Sequence, residues 1–202
     1  MNITFYNKII NPKIVELQKK VFEKIGEEIN QIYIENWISH GKAIDDFLND
    51  KNDENEVITL FDIDSIPLDK DILEISKSWA ENNIGIYSVA QKTIKLKNPI
   101  IYAAPSFMVF SIKTYNYLGR PSFETNERSD CGAEMTHIAR EKGVEIRLLY
   151  PSSVETPHTN LDGYIQFGYG TTYGNCIYHA FESRFKRRDN YFINKCNSFL
   201  NG

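Results

Sequence analysis

The spacing of apolar residues divides the first part of the chain into alternating strands and helices. A short apolar strand is predicted over Asn2–Tyr6, and a helix is predicted after Asn11-Pro12, where apolar residues recur near the 3.6-residue period. The same two patterns predict a strand over 29–35 and a helix over 41–51. Segment 57–63 is almost continuously apolar, as is typical of a central strand that is covered on both faces.

The rest of the chain continues this alternation. Helices are predicted over 69–83 and from Ser129 or Asp130 to Lys142, and strands over 85–90, 106–112 and 144–149. Segment 151–174 is rich in Pro, Thr, Gly and Tyr, and it is predicted to be an irregular lid or substrate loop. Helical spacing over 178–200 predicts one final helix. Strands that alternate with helices in this way predict an α/β fold with a largely parallel sheet.

Composition narrows the class of protein. At 202 residues, of which 42% are hydrophobic and 25% charged, the chain is long enough for one globular domain with a sizeable core. Its net charge of -4 argues against nucleic acid as a partner, because phosphate neutralisation needs clustered Lys and Arg. The three cysteines form no Cys-x-x-Cys pair, so reduced thiols in a cytoplasmic protein are expected. Neither a signal peptide nor a run of about 18 apolar residues is visible, so no membrane span is predicted.

Two aspartates stand where the most apolar strand ends. Asp62 and Asp64 flank Ile63 at the end of segment 57–63. Ligands of open α/β sheets bind beside the carboxyl ends of the strands. In an extended segment, residues i and i+2 point to the same side, so both carboxylates can converge on one divalent ion. The alternative is a helix cap or a solvated turn before Ser65-Ile66-Pro67.

The apolar strand that ends in Leu60-Phe61-Asp62-Ile63-Asp64 resembles the Asp-x-Asp motif of the nucleotide-sugar-dependent glycosyltransferases of the GT-A fold. The resemblance implies a Rossmann-like, three-layer α/β fold with a central, mostly parallel sheet. It implies one domain over 1–202, with a nucleotide-binding half near 1–90 and an acceptor half near 91–202. It also implies Mn²⁺ or Mg²⁺ held by Asp62, Asp64 and His179. His179 matches the family's late metal ligand because it follows the Gly-rich segment 168–174, and it is expected to open the last helix.

The same resemblance implies the substrates. The donor would be a nucleoside diphosphate sugar, with UDP as the expected nucleotide, and the acceptor a glycan or another hydroxyl compound. Tyr6, Asn7 and Asn36 at the ends of the first two strands, together with Asp62, are expected to bind the nucleotide. A basic cluster could add positive charge at the diphosphate or could be a solvated helix face; it consists of Arg184, Lys186, Arg187 and Arg188.

An inverting transfer also needs a base that takes the proton of the acceptor hydroxyl. Asp130 and Glu134 share this expected role. Asp130 is the nearest match to the acid that the family places at the start of a helix, whereas counting back from Gly143 aligns Glu134 with a family acid. The alternative for Asp130 is that it caps the helix.

Two other functions remain open from the sequence. A haloacid dehalogenase-like phosphatase would use Asp62 as its nucleophile, although two strand and helix pairs precede the motif here and no late acidic pair follows. A non-catalytic glycan- or nucleotide-binding domain would keep the fold without turnover and would use the Tyr-rich segment 164–173 as a sugar platform.

Overall fold

The computed structural model of the chain describes residues 1–93, 96–163, 165–185 and 187–202. In chain order the elements are β1 (Asn2–Tyr6), α1 (Pro12–Lys24), β2 (Asn30–Tyr33), α2 (His40–Asn49), β3 (Val57–Phe61), β4 (Ser65–Pro67), α3 (Asp71–Asn82), β5 (Gly85–Lys92), β6 (Ile101–Ser111), α4 (Ile112–Leu118), α5 (Ala133–Glu141), β7 (Glu145–Leu149), β8 (Pro151–Asp162), β9 (Ile165–Tyr173), β10 (Ile177–His179) and α6 (Asp189–Asn201).

Six strands form the central sheet in the order β2-β1-β3-β6-β5-β7. β1 pairs in parallel with β2 and β3, and β5 pairs in parallel with β7, whereas β6 runs antiparallel to β3 and β5. The predicted α/β fold with a mostly parallel central sheet is therefore confirmed. β3 lies inside this sheet, as its apolar sequence predicts, and all of its residues are buried.

Alternation of side chains along β3 supplies both faces of the sheet with apolar groups. Ile58 and Leu60 pack with residues of α2, α4 and α5 on one face, while Val57 and Phe61 pack with residues of α1 and α3 on the other. α6 packs against α1 in a separate apolar cluster, through Phe192 and Cys196. Each fully buried side chain of this size contributes roughly 1.5–3 kcal/mol relative to exposure.

A second sheet corrects the prediction for segment 151–174. Its order is β4-β10-β9-β8 and all of its pairs are antiparallel, so the predicted irregular loop is in fact the hairpin of β8 and β9. β8 is an edge strand whose side chains are mostly exposed, and its pairing shifts register at three points. Edge strands tolerate residues such as Pro151 and Pro157 and need no apolar alternation, which is why the sequence pattern did not reveal this one.

The C-terminal segment and α5 also differ from their predictions. Segment 178–200 is not one helix, because Tyr178 and His179 belong to β10 and α6 begins at Asp189. Phe181, which fitted the helical period, has a φ of 66° and therefore cannot continue a right-handed helix. The helix expected from residue 129 or 130 begins at Ala133, after an N-cap glycine with a φ of 75°.

Cys131, Cys176 and Cys196 are free thiols, and Cys196 is buried in the cluster between α1 and α6. Among the helices in the described part of the chain, none combines the length and the apolar composition that a membrane crossing requires.

Candidate functional site

The motif after β3 is a tight turn rather than the extended segment that the sequence suggests. The backbone N–H of Ser65 donates to the carbonyl of Asp62 at 3.0 Å. The buried amide of Gln18 on α1 donates to the carbonyl oxygens of Asp62 and Ser65, at 2.9 Å each. Ile63 packs into the apolar cluster between α1 and α6. These contacts fix the turn, and both carboxylates line the pocket that opens on its other side.

β10 brings His179 to this turn. It pairs with β4, so that His179 lies opposite Ser65. Nε2 of His179 is 3.3 Å from Oδ2 of Asp62 and 3.3 Å from Oδ1 of Asp64. One potential ligand atom from each of the three side chains lies within 4.8 Å of the others. The fold thus brings together the three residues predicted as metal ligands, although His179 ends a strand rather than opening a helix.

Burial and charge act against each other in this group. Asp64 is 6% exposed and His179 is 2% exposed. Burial disfavours the Asp64 carboxylate, but the neighbouring His179 lowers the pKa of Asp64, and the backbone N–H of Ser183 helps by donating to its Oδ2 at 3.0 Å. Burial likewise disfavours a charged His179, yet the carboxylates of Asp64 and Asp62 outweigh it and raise the pKa of the imidazole. The imidazole therefore supplies countercharge to two acids.

The donor set fits a divalent cation. Oδ1 of Asp62 is buried, and none of the described residues forms a hydrogen bond with it. Nδ1 of His40 lies 3.3 Å from that oxygen, but without the geometry of a hydrogen bond. A buried carboxylate oxygen with no partner is costly unless a cation or a donor reaches it. Two carboxylates and one imidazole provide the mixed oxygen and nitrogen ligands that an ion such as Mn²⁺ accepts.

A pocket of about 480 Å³ opens over this group. Tyr6 and Asn7 at the end of β1 line it; their predicted role in nucleotide binding stays a prediction. Asn36 is exposed and does not belong to the lining residues. The adjacent Trp37 lines the pocket instead, and its ring stacks on the imidazole of His40 with centroids 6.1 Å apart.

His40 is a pocket residue that the sequence analysis missed. It begins α2, whose N-cap Ser39 accepts the backbone N–H of Lys42 at 2.9 Å. Because a helix that follows a parallel strand begins at the strand's carboxyl end, His40 lies at the same edge of the sheet as Asp62. Its position directly before the second predicted helix was the signal that could have identified it.

The two candidate bases have different surroundings. Asp130 lines the pocket, and its Oδ1 accepts the backbone N–H of Cys131 at 2.8 Å. It does not cap α5. Glu134 is not a lining residue: it forms an ion pair with Arg128 and accepts the hydroxyl of Ser129 at 2.6 Å. The hydrogen bond from Arg128 lowers the pKa of Glu134 to about 2. The fold therefore brings Asp130, but not Glu134, to the pocket.

Three aromatic side chains form one side of the pocket, and we call them the aromatic wall: His158, Tyr169 and Phe181. The ring of His158 lies 4.9 Å from that of Tyr169 and 5.2 Å from that of Phe181, measured between centroids. The wall derives from the hairpin of β8 and β9 and from the segment after β10. Phe181 connects the wall to the three predicted metal ligands, because its ring lies 5.5 Å from the imidazole of His179, measured between centroids.

The segment after β10 is held in a strained conformation next to the acids. Phe181 and Glu182 both have positive φ, 66° and 61°. Such geometry costs about 1–3 kcal/mol for each non-glycine residue and persists where other contacts impose it, often at functional sites. Here Asp64 imposes it, because its carbonyl accepts the N–H of Ala180 at 2.9 Å and its carboxylate accepts the N–H of Ser183.

The predicted basic cluster is only partly at the pocket. Arg184 is a lining residue. Arg188 is paired with Glu182, and its guanidinium lies 4.5 Å over the ring of Tyr169. Arg187 is exposed. Lys186, and Tyr164 of the Tyr-rich segment, lie outside the described residues.

No protein-family model matches the chain, and no curated protein matches its sequence. Among solved structures, the chain is similar to a variant of Drosophila β-1,4-galactosyltransferase 7 in complex with manganese, UDP-Gal and xylobiose, at 10% identity over 95% of this chain and 79% of that one, with a TM-score of 0.48. It is similar to 4-diphosphocytidyl-2C-methyl-D-erythritol synthase from Anaerococcus prevotii, at 10% identity over 100% and 96% of the two chains, with a TM-score of 0.42. A third similar structure is a protein from STIV, at 14% identity over 70% and 78%, with a TM-score of 0.42. Function is therefore inferred from the site itself.

Proposed function

We propose that the chain is a metal-dependent glycosyltransferase that moves a sugar from a nucleoside diphosphate donor, with UDP favoured, to a hydroxyl of a glycan or another acceptor. The observation that supports this best is the convergence of Asp62, Asp64 and His179 in a pocket beside the carboxyl end of β3. A divalent cation bound there would offset the negative charge that develops on a departing diphosphate. The pocket volume of about 480 Å³ is within the range of small-molecule sites.

The nucleotide is assigned to the side of the pocket built by β1 and the start of α2. Tyr6 and Trp37 offer ring faces on which a pyrimidine can stack, and Asn7 offers an amide that can hydrogen-bond its edge. Arg184 supplies a cationic group to the phosphates from the segment after β10.

The acceptor is assigned to Asp130 and the aromatic wall, which line the same pocket. Among the described ion pairs none involves Asp130, so its carboxylate can accept the proton of an acceptor hydroxyl. Glu134 is a poor candidate for this step, because it does not line the pocket and its lowered pKa makes it a weak proton acceptor. Ring faces of the wall suit the apolar face of a sugar ring.

The test is turnover with a panel of nucleoside diphosphate sugars and simple glycoside acceptors, with Mn²⁺ or Mg²⁺. Release of the nucleoside diphosphate and the mass of the glycosylated product are measured. Chelation of the metal should abolish release, and Asp64→Asn and His179→Gln should each lower it by about 100-fold or more. Asp46→Asn is the matched control, because Asp46 is an exposed acid of α2 that pairs with Lys42.

Two results would contradict the proposal. Saturable binding of a sugar nucleotide with no release of diphosphate would indicate a binding domain. Release of phosphate from simple phosphomonoesters, lost on changing Asp62, would indicate a phosphatase.

A further inference from the structure

A buried amide lies next to the three predicted metal ligands, Asp62, Asp64 and His179. Gln91, on β5, is 5% exposed. The nitrogen of its side chain lies 3.1 Å from Nδ1 of His179 and 3.0 Å from Oγ of Ser106. Both ring nitrogens of His179 therefore have partners: Nδ1 contacts Gln91, and Nε2 faces Asp62 and Asp64.

The site around Gln91 is built by an irregularity in the central sheet. The pairing of β5 with β6 shifts register between Ser88 and Val89. The extra residues of β6 include Ser106. The hydroxyl of Ser88 donates to the carbonyls of Ala104 and Phe107, which precede and follow Ser106 in the chain, at 2.9 and 2.8 Å. Bulges of this kind redirect side chains beside active sites. Here the bulge directs Ser106 to Gln91.

The chemistry of imidazole decides which end of the amide faces His179. An imidazole that offers the lone pair of Nε2 to a cation carries its proton on Nδ1, and that N–H needs an acceptor. The oxygen and nitrogen ends of a glutamine amide have the same shape, and a half turn about the last torsion exchanges them. If the nitrogen faced His179, it would donate to Nδ1 and force the proton onto Nε2, where it would displace a cation from the two carboxylates.

We propose that Gln91 is a positioning residue for the metal site. Its Oε1 accepts the proton of Nδ1 of His179, the hydroxyl of Ser106 donates to the same oxygen, and the lone pair of Nε2 points at Asp62 and Asp64. This inference rests on the metal site of the proposed function, but not on the identity of the sugar or the acceptor.

The test compares the Mn²⁺ affinity of the whole chain, measured by calorimetry, with those of Gln91→Leu and Gln91→Glu. Leucine has a similar size but cannot hydrogen-bond, so Mn²⁺ should bind about 10- to 100-fold more weakly. Glutamate keeps acceptor oxygens and loses the donor. The affinity of Gln91→Glu for Mn²⁺ should therefore stay within about threefold of that of the parent chain or exceed it. Equal affinity in Gln91→Leu, or weakening in Gln91→Glu, would overturn the inference.

A second measurement does not depend on either variant folding. Nitrogen-15 spectra of the unaltered chain with saturating Mg²⁺ report which ring nitrogen of each histidine carries a proton, and His179→Gln identifies the signals of His179 among the four histidines. A proton on Nδ1 is expected, whereas a proton on Nε2 would overturn the inference. Failure of the unaltered chain to bind either ion would overturn the proposed function as well. Binding with no effect of Gln91→Leu would overturn this inference alone.

Discussion

Two acids, one imidazole and one amide form a continuous chain of polar contacts, in which Asp62 is partly exposed and the other three members are buried. Asp62 and Asp64 lie on the Nε2 side of His179, and Gln91 lies on the Nδ1 side. Buried polar networks are stable only when each member has its partners, because the low dielectric makes an unpaired group costly. Changing one member therefore alters the charge or the proton position of the next. The free-energy effects of single substitutions in this network are not expected to be additive.

Glu134 lies outside this network, which makes it useful for a prediction about pH. Its pKa is about 2 in the folded chain, against an ordinary value of 4.5. Because the folded value is lower, the contribution of Glu134 to stability is full above about pH 4.5 and declines as the pH falls towards 2. Arg128 is half exposed, so solvent screening limits that contribution to about 1 kcal/mol.

Glu134→Gln should thus lower the free energy of unfolding by about 1 kcal/mol at pH 7. The difference from the parent should shrink below pH 4.5, over the range in which the protein stays folded. Urea denaturation at a series of pH values measures both quantities. Affinity for Mn²⁺ at pH 7 serves as the control and should not change. A difference that is constant with pH would show that the ion pair with Arg128 is not its source.

The start of α2 gives a second prediction, in which a change from glycine to alanine lowers the stability of the fold instead of raising it. Glycine to alanine in a helix ordinarily stabilises it by about 0.5–1 kcal/mol. A Cβ at Gly41 would lie 2.4 Å from the carbonyl oxygen of Phe123, whose N–H is held by Asp45 at 2.8 Å. Gly41→Ala should therefore destabilise the fold by about 1–3 kcal/mol, as overpacking does.

Chemical denaturation of Gly41→Ala beside Ser78→Ala tests this. Ser78 is an exposed position of α3, so its change should be within about 0.5 kcal/mol. A more stable Gly41→Ala would mean that the segment around Phe123 yields easily and does not fix the start of α2.

Elements with local signals could be predicted from the sequence. Asn11 accepts the N–H of Lys13 and Pro12 occupies the first turn of α1, as their order along the chain indicates. β3 was evident because a strand buried on both faces must be apolar throughout. In contrast, β10 has three residues and is a strand only because β4 and β9 lie on either side of it. No local pattern carries that information.

The residues of the candidate site can likewise be separated into those with a local sequence signal and those without one. Asp62 and Asp64 were predictable because two acids at the end of an apolar strand are a local pattern. His179 was expected only through the resemblance, because its place after the glycine-rich segment matches the family's late metal ligand. Gln91 has no such local signal, and for His40 the signal is limited to its place before a predicted helix. Their contacts with Asp62 and His179 come from the start of α2 and from the bulge in β6, and both depend on how the strands are arranged.

The two sheets contribute different parts of the pocket. The turn after β3 in the central sheet supplies Asp62 and Asp64, while β10 and the hairpin of the second sheet supply His179 and the aromatic wall. A cation held by all three ligands would therefore connect the two sheets. Any ligand that binds the folded state alone stabilises it, by about 2.7 kcal/mol at one hundred times its dissociation constant.

For a chain of this length, stabilisation of that size corresponds to a rise in Tm of about 5–10 °C. Mn²⁺ at saturating concentration should produce such a rise in the parent chain and in Asp46→Asn, and little or none in Asp64→Asn. Because the bound ion would connect the turn after β3 to β10, hydrogen exchange should slow at the amides of residues 177–183 in the same titration. An equal rise in Tm for Asp64→Asn would show that the ion binds elsewhere, and a rise without slower exchange at 177–183 would show that His179 is not among its ligands.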